Sequence, residues 1–309
     1  MRKLMSLFLI TLMVGCAQVT TAPPEVSSIN GVQILDGPGV SSFLTLLYER
    51  KFPNCNNSDS QPAFLCAGVT LRVTVKDPAN VYKVWDPSPT SIKSGGVSFS
   101  HLREDANFGR LAWGHGNGYI LYPIFGAPAD KIDLDYLCSY PMDAWTWHRS
   151  ETQVCGPHKD YPVQSQLCQS AGVTSAQQWV NVWNIPGGNP NLRQCGFDIR
   201  DERNHLAGPA FYQSLQAKKL IGDTGFNEHN EVILKTWAAG RPNTLPLMAF
   251  FFIAGGTNEG LADARYNQRD FYNSTNPKIV VPIIRLTPAT SANGKATFTY
   301  NAADQAVTR

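Results

Sequence analysis

The sequence predicts an α+β domain built on mixed, largely antiparallel sheets. Short apolar or alternating runs recur along the chain, and loops or single helices separate them in place of a regular strand–helix rhythm. The composition fits a packed core with many turns: 43% hydrophobic and 16% charged residues, 25 Gly and 21 Pro in 309.

In chain order, Ser41 to Lys51 reads as an amphipathic helix, with Phe43, Leu44, Leu46 and Leu47 on its apolar side. Ala67 to Lys76 alternates Val69, Leu71, Val73 and Val75 against Thr70, Arg72, Thr74 and Lys76, the pattern of a half-buried strand with Arg72 on its polar face. A Pro/Gly loop (Pro87, Pro89, Gly95, Gly96) precedes a short strand, Val97-Ser98-Phe99-Ser100. Gly114 to Gly118 reads as a hairpin turn before a strand at Tyr119 to Phe125. Residues 137–219 hold four cysteines and several Trp, which predicts a disulfide-stapled insertion with a helix around Ala176 to Trp183. Strands follow at Glu231 to Trp237, Leu247 to Ile253, Lys278 to Leu286 and Ala296 to Tyr300, with a polar helix near Leu261 to Tyr272.

Residues 1–16 read as a signal peptide. Arg2 and Lys3 precede an apolar Leu4 to Val14, and Gly15-Cys16 resembles a bacterial lipobox that would lipidate Cys16. Ordinary cleavage nearby is the alternative. Either way the chain is expected to be exported, as an outer-membrane lipoprotein, in the periplasm, or secreted, touching a membrane only through that N-terminal lipid. Residues 17–38 are expected to form a tether, and residues 39–309 a single catalytic domain carrying the insertion. Six further cysteines (Cys55, Cys66, Cys138, Cys155, Cys168 and Cys195) predict three disulfides in an oxidising compartment, with the pairing left open. No C-x-x-C or H-E-x-x-H occurs, so no metal is expected. The net charge of +2 and the lack of a basic run disfavour nucleic acid as a partner.

Chemistry concentrates on polar residues in strands. Glu231 heads the apolar run Glu231-Val232-Ile233-Leu234, and a turn holding Glu228 and His229 leads into it. A strand fixes a carboxylate better than a loop does. Arg72 offers a planar fork of donors suited to phosphate, and Ser98 or Ser100 on a neighbouring strand can hold a carboxylate rotamer. A carboxylate beside a sugar ring stabilises an oxocarbenium-like transition state.

The order Arg, S-x-S, then Glu resembles the R-S-E arrangement of mono-ADP-ribosyltransferase toxins. Longer runs, P-A-F-L-C-A-G-V-T-L-R, S-G-G-V-S-F-S-H-L-R, N-E-V-I-L-K-T-W and L-P-L-M-A-F-F-F, resemble the secreted halovibrin family across about residues 41–287. The resemblance implies an ADP-ribosyltransferase-like fold and an enzyme that takes NAD as substrate and breaks its nicotinamide–ribose bond, as an NAD glycohydrolase or an ADP-ribosyltransferase. It implies that Arg72 binds the NAD phosphates or ribose, that Ser98 positions Glu231 while Ser100 completes S-x-S, and that Glu231 supports the oxocarbenium ion. The sequence departs from the family pattern at two places. Phe99 stands where the family's S-T-S has Thr, and His229 replaces the first Glu of E-x-E. The second change puts transfer to a protein acceptor in doubt and makes His229 or Glu228 a candidate for activating water.

Each residue also has an unremarkable reading: Arg72 as a strand-surface cation, Ser98 and Ser100 as a solvent-facing row, Glu231 as a strand-end charge. On those readings the chain is a non-enzymatic surface lipoprotein that binds a partner through its cysteine-rich region. A glycosidase using Glu228 and Glu231 is disfavoured, because carboxylates so close in sequence do not flank a glycosidic bond.

Overall fold

A computed structural model describes residues 23–51, 63–74, 88–111, 116–122, 135–144, 146, 149, 155, 167–184, 194–200, 208–236, 247–255 and 260–307. The signal peptide, Cys16, Cys55, Gly114 and His115 lie outside them. The elements run β1 (Val26–Ile29), β2 (Val32–Leu35), α1 (Gly37–Glu49), α2 (Ala63–Cys66), β3 (Val69–Val73), α3 (Pro89–Ser94), β4 (Val97–Leu102), β5 (Asn117–Leu121) and β6 (Asp135–Tyr140). They continue α4 (Ala176–Asn184), β7 (Phe197–Asp198), α5 (Pro209–Leu220), α6 (Gly222–Phe226), β8 (Glu231–Lys235), β9 (Leu247–Ile253), α7 (Gly260–Ser274), β10 (Ile279–Val280), β11 (Ile283–Thr287) and β12 (Thr297–Tyr300).

The fold is α+β. Among the described residues, nine strands form one sheet in the order β12-β11-β9-β5-β3-β4-β8-β6-β7, and β1-β2-β10 form a second. Pairing is antiparallel except at β9–β11 and β2–β10. The expected mixed, largely antiparallel architecture is therefore present.

The tether expected at 17–38 is corrected from Val26 onward, because β1 and β2 form a hairpin there. Asn30 and Gly31 both take positive φ (51° and 77°), the geometry an Asn-Gly turn supplies without strain. Asp36 then caps α1, accepting from the Gly39 amide at 2.8 Å, so the helix starts before Ser41. Its buried Val40, Phe43, Leu44 and Leu47 follow helical spacing. The helix is fastened to the far edge of the sheet by Ser41 Oγ donating to the Phe298 carbonyl (2.8 Å) and by the Ala296 amide donating to Tyr48 Oη (3.0 Å).

The half-buried expectation for β3 is also corrected. Thr70 and Thr74 are buried on the supposed polar side. β3 is central, and Thr70 Oγ1 meets His101 Nδ1 at 2.9 Å inside the protein. The predicted strand 278–286 divides at Pro282, which has no amide to give a ladder. β10 joins β2 in the small sheet, while β11 runs beside β9 in the large one.

Residues 137–219 are not a pure insertion. β6 and β7 are members of the large sheet, and the cysteine density had hidden the alternation of Tyr136, Cys138 and Tyr140. Disulfides join Cys138 to Cys155 and Cys168 to Cys195, and Cys66 is also disulfide-bonded. Trp179 is fully buried in a local core with Val173, Ala176 and Phe197, stacked on Trp183 at 5.4 Å.

Candidate functional site

The strand order puts the expected residues on three neighbouring strands: Arg72 on β3, Ser98 and Ser100 on β4, Glu231 on β8. β3 and β4 pair only from Val69↔Leu102 to Leu71↔Ser100. Beyond that point β4 turns to β8, pairing Val97 to Phe99 with Leu234 to Val232. Arg72 stands at this fork. Its Nη1 donates to the Ser98 carbonyl at 2.5 Å, which supplies a partner where the ladder stops. On its other side β3 lies so close to β5 that a side chain on Gly118 would meet the Arg72 carbonyl at 2.0 Å.

Glu231 is buried, with 3% of its surface exposed, so it is not a solvated strand-end charge. Its Oε2 accepts from the Ala144 amide at 3.1 Å, its Oε1 from the Thr146 hydroxyl, and the Ser98 side chain also hydrogen-bonds the carboxyl group. Burial, reinforced by the nearby Asp143 charge, raises the Glu231 pKa to about 7 against the pull of those three donors. Ser100 lies two residues along β4, buried opposite Leu71. Ser98 is half-buried, so the pair is not a solvent-facing row, and neither is Arg72 a fully exposed cation.

His229 is buried at the mouth of β8, and burial lowers its pKa while Asp143 opposes that shift. The imidazole is thereby kept neutral and able to accept a proton. Glu228 goes elsewhere. Its backbone carbonyl and that of Gly225 accept from the buried Lys218 Nζ, and its charge acts on that amine. Burial pushes the Lys218 pKa down to about 7. The structure thus groups Glu228 with Lys218, not with Glu231. A cleft of about 490 Å³ lies beside this turn, lined in part by Glu49, Glu104, Asp105, Lys218 and Asp223, but none of Arg72, Ser98 or Glu231 lines it.

Sequence reasoning missed several residues of this neighbourhood. Asn230 extends the β4–β8 ladder with its side chain: Oδ1 accepts from the His101 amide (2.7 Å) and Nδ2 donates to the His101 carbonyl (2.8 Å). Arg149, also buried, donates to the Ser94 carbonyl at 2.6 Å and lies within electrostatic reach of Tyr140 and Glu231. Asp143, Ala144 and Thr146 follow β6 directly. Only proximity to Cys138 hinted that this stretch would be held against β8.

His101 beneath the site is structural. Its Nε2 donates to the Ala67 carbonyl (2.9 Å), its Nδ1 accepts from Thr70, and burial lowers its pKa to about 3. A histidine whose folded pKa lies below its unfolded value gives its full stability above pH 6.5 and loses it as pH falls toward 3. Between about pH 7 and pH 4, wild type should therefore lose about 3 kcal/mol more than His101→Leu, measured by urea unfolding at both pH values. Equal losses would show that His101 titrates freely.

No group of three or more His, Cys, Asp or Glu able to hold a metal ion occurs among the described residues. The chain matches no protein-family model, and no curated protein shows significant similarity to it.

Proposed function

We propose that the protein is an exported enzyme that breaks the nicotinamide–ribose bond of NAD, with water as the favoured acceptor of ADP-ribose. The observation that carries this reading is the hydrogen-bonded line Arg72–Ser98–Glu231 across three adjacent strands, with a carboxyl group poised near neutrality at its end. That line is what the R-S-E resemblance requires.

In this reading Arg72 presents its guanidinium to the NAD phosphates or ribose, and Ser98 holds the Glu231 rotamer. Ionised Glu231 accepts from a ribose hydroxyl and stabilises the oxocarbenium ion as the C1′–N bond breaks and its electron pair leaves with nicotinamide. Water attacks C1′ and gives its proton to neutral His229, whose imidazolium Asp143 then stabilises. The products are nicotinamide, ADP-ribose and a proton. Transfer to a protein acceptor is the less favoured outcome, because His229 stands where transferases carry the first Glu of E-x-E.

The test is incubation of the purified protein with NAD and chromatography of the products. Nicotinamide and ADP-ribose are expected, and Arg72→Ala should raise KM for NAD at least tenfold through loss of a charged contact. Absence of nicotinamide at high protein concentration would rule the reading out and favour the partner-binding surface lipoprotein.

A further inference from the structure

We propose that Thr146 is a second positioning residue of Glu231, beside Ser98, on a stretch that Arg149 anchors ahead of β4 and Cys155 anchors to β6. The inference rests on Glu231 being the working carboxylate, but its geometry stands independently. β6 lies beside β8 with Tyr140 opposite Glu231, so the chain leaving β6 emerges next to the carboxylate. The Ala144 amide and the Thr146 hydroxyl then take one carboxylate oxygen each. Thr146 is itself buried, which leaves its hydroxyl aimed at Glu231 instead of water. Further on, Arg149 ties this stretch to the Ser94 carbonyl just ahead of β4, and Cys155 returns to Cys138 in the middle of β6. Thr146 therefore lies between anchored points at Ala144 and Arg149, as suits a residue that sets another side chain's rotamer.

A hydroxyl donor favours the ionised carboxylate, so its removal should raise the pH at which Glu231 ionises. The titratable groups that interact with Glu231 are Asp143, Tyr140 and Arg149, from β6 and the chain after it; His229, two residues before it, interacts with Asp143, Lys218 and Arg110. β4 contributes the Ser98 hydroxyl. None of these changes in a Thr146 variant, which isolates the effect of the donor.

The experiment is a carbon NMR titration of protein labelled at the Glu carboxyl carbons, with the Glu231 signal assigned by its loss in Glu231→Gln. Thr146→Val should raise the midpoint by about one pH unit, a tenfold change in ionisation, and Thr146→Ser should restore it. If the Val variant does not fold, Thr146→Ala is titrated in its place. An unmoved midpoint in the hydroxyl-free variant, or equal shifts in the Ser and hydroxyl-free variants, would overturn the proposal. In parallel, the acidic limb of nicotinamide release should move with the midpoint. A midpoint that moves while none of the proteins releases nicotinamide would leave Thr146 its positioning role and remove the NAD assignment.

Discussion

Glu231→Gln should reduce nicotinamide release from NAD by on the order of 10³ while leaving the fold intact. Gln fills the same volume and can keep the contacts to Ala144 and Thr146, its Oε1 accepting from the Ala144 amide and its Nε2 donating to Thr146 Oγ1. What it cannot do is carry the negative charge that opposes an oxocarbenium ion. Unchanged turnover in the variant would remove Glu231 from the mechanism. The same substitution has a stability signature that does not depend on any substrate. A carboxyl group whose folded pKa is raised, here from 4.5 to about 7, contributes its stability below the unfolded pKa and loses it as pH rises through the folded one. Above pH 7 the protein thus carries a buried charge costing about 3 kcal/mol. Glu231→Gln should gain on wild type by up to that amount between about pH 5 and pH 8, as read by urea unfolding. A difference between the two proteins that does not vary with pH would show that Glu231 ionises as easily folded as unfolded. A carboxylate held at such a cost is what the trade of stability for activity leads one to expect if Glu231 does the proposed chemistry.

Asn230→Ala should cost about 2–5 kcal/mol, one of the larger losses available from a single polar residue in this chain. The side-chain amide takes the place of a backbone step in the β4–β8 ladder, and its loss strands both the amide and the carbonyl of His101, a fully buried residue. Asn230→Asp should be no better, because a carboxylate keeps the acceptor but confronts the His101 carbonyl with a second negative group. Equilibrium unfolding in urea measures both variants, and a loss under about 1 kcal/mol would mean that water or a backbone shift replaces the amide. Asn230 also joins His229 to Glu231, so on the proposed mechanism its variants should lower nicotinamide release even where they remain folded.

Much of the central sheet was legible because its strands carry strong local patterns. Leu247 to Ile253 is an apolar run buried on both faces, and the structure begins and ends β9 on those residues. The helix at Ala176 to Trp183 and the polar helix near Leu261 likewise follow from spacing alone. β1 and β2 were overlooked although Asn30-Gly31 between two Val/Ile segments is a strong hairpin signal. The polar composition of the stretch outweighed that turn. β6 is masked in the sequence because Cys138 reads as a cross-link, although Tyr136, Cys138 and Tyr140 alternate. At the site, chain order and strand type give the sequence of Arg72, Ser98 and Glu231, and their grouping on neighbouring strands is what the R-S-E resemblance implies. Thr146, Arg149 and Asn230 were not anticipated, because their roles come from register between β6, β8 and β4, which no local run of residues encodes. The charge of Glu228 shows the converse. Sequence proximity placed it with Glu231, while the turn of the chain gives it to Lys218.

The hairpin at the start of the fold has a mechanical consequence. β1 is an edge strand whose first residue, Val26, faces the last residue of β2, Leu35, with the Asp36 amide bonded to the Glu25 carbonyl just outside. A pull on the chain at its N-terminal side therefore loads these bonds one after another, like a zipper, and β1 peels away at low force. The strain then reaches β2, where the parallel bonds to β10 and the packed helix α1 resist it together. Traction at this end is thus absorbed in a short expendable strand, and the Arg72, Ser98 and Glu231 strands, which belong to the other sheet, stay in register.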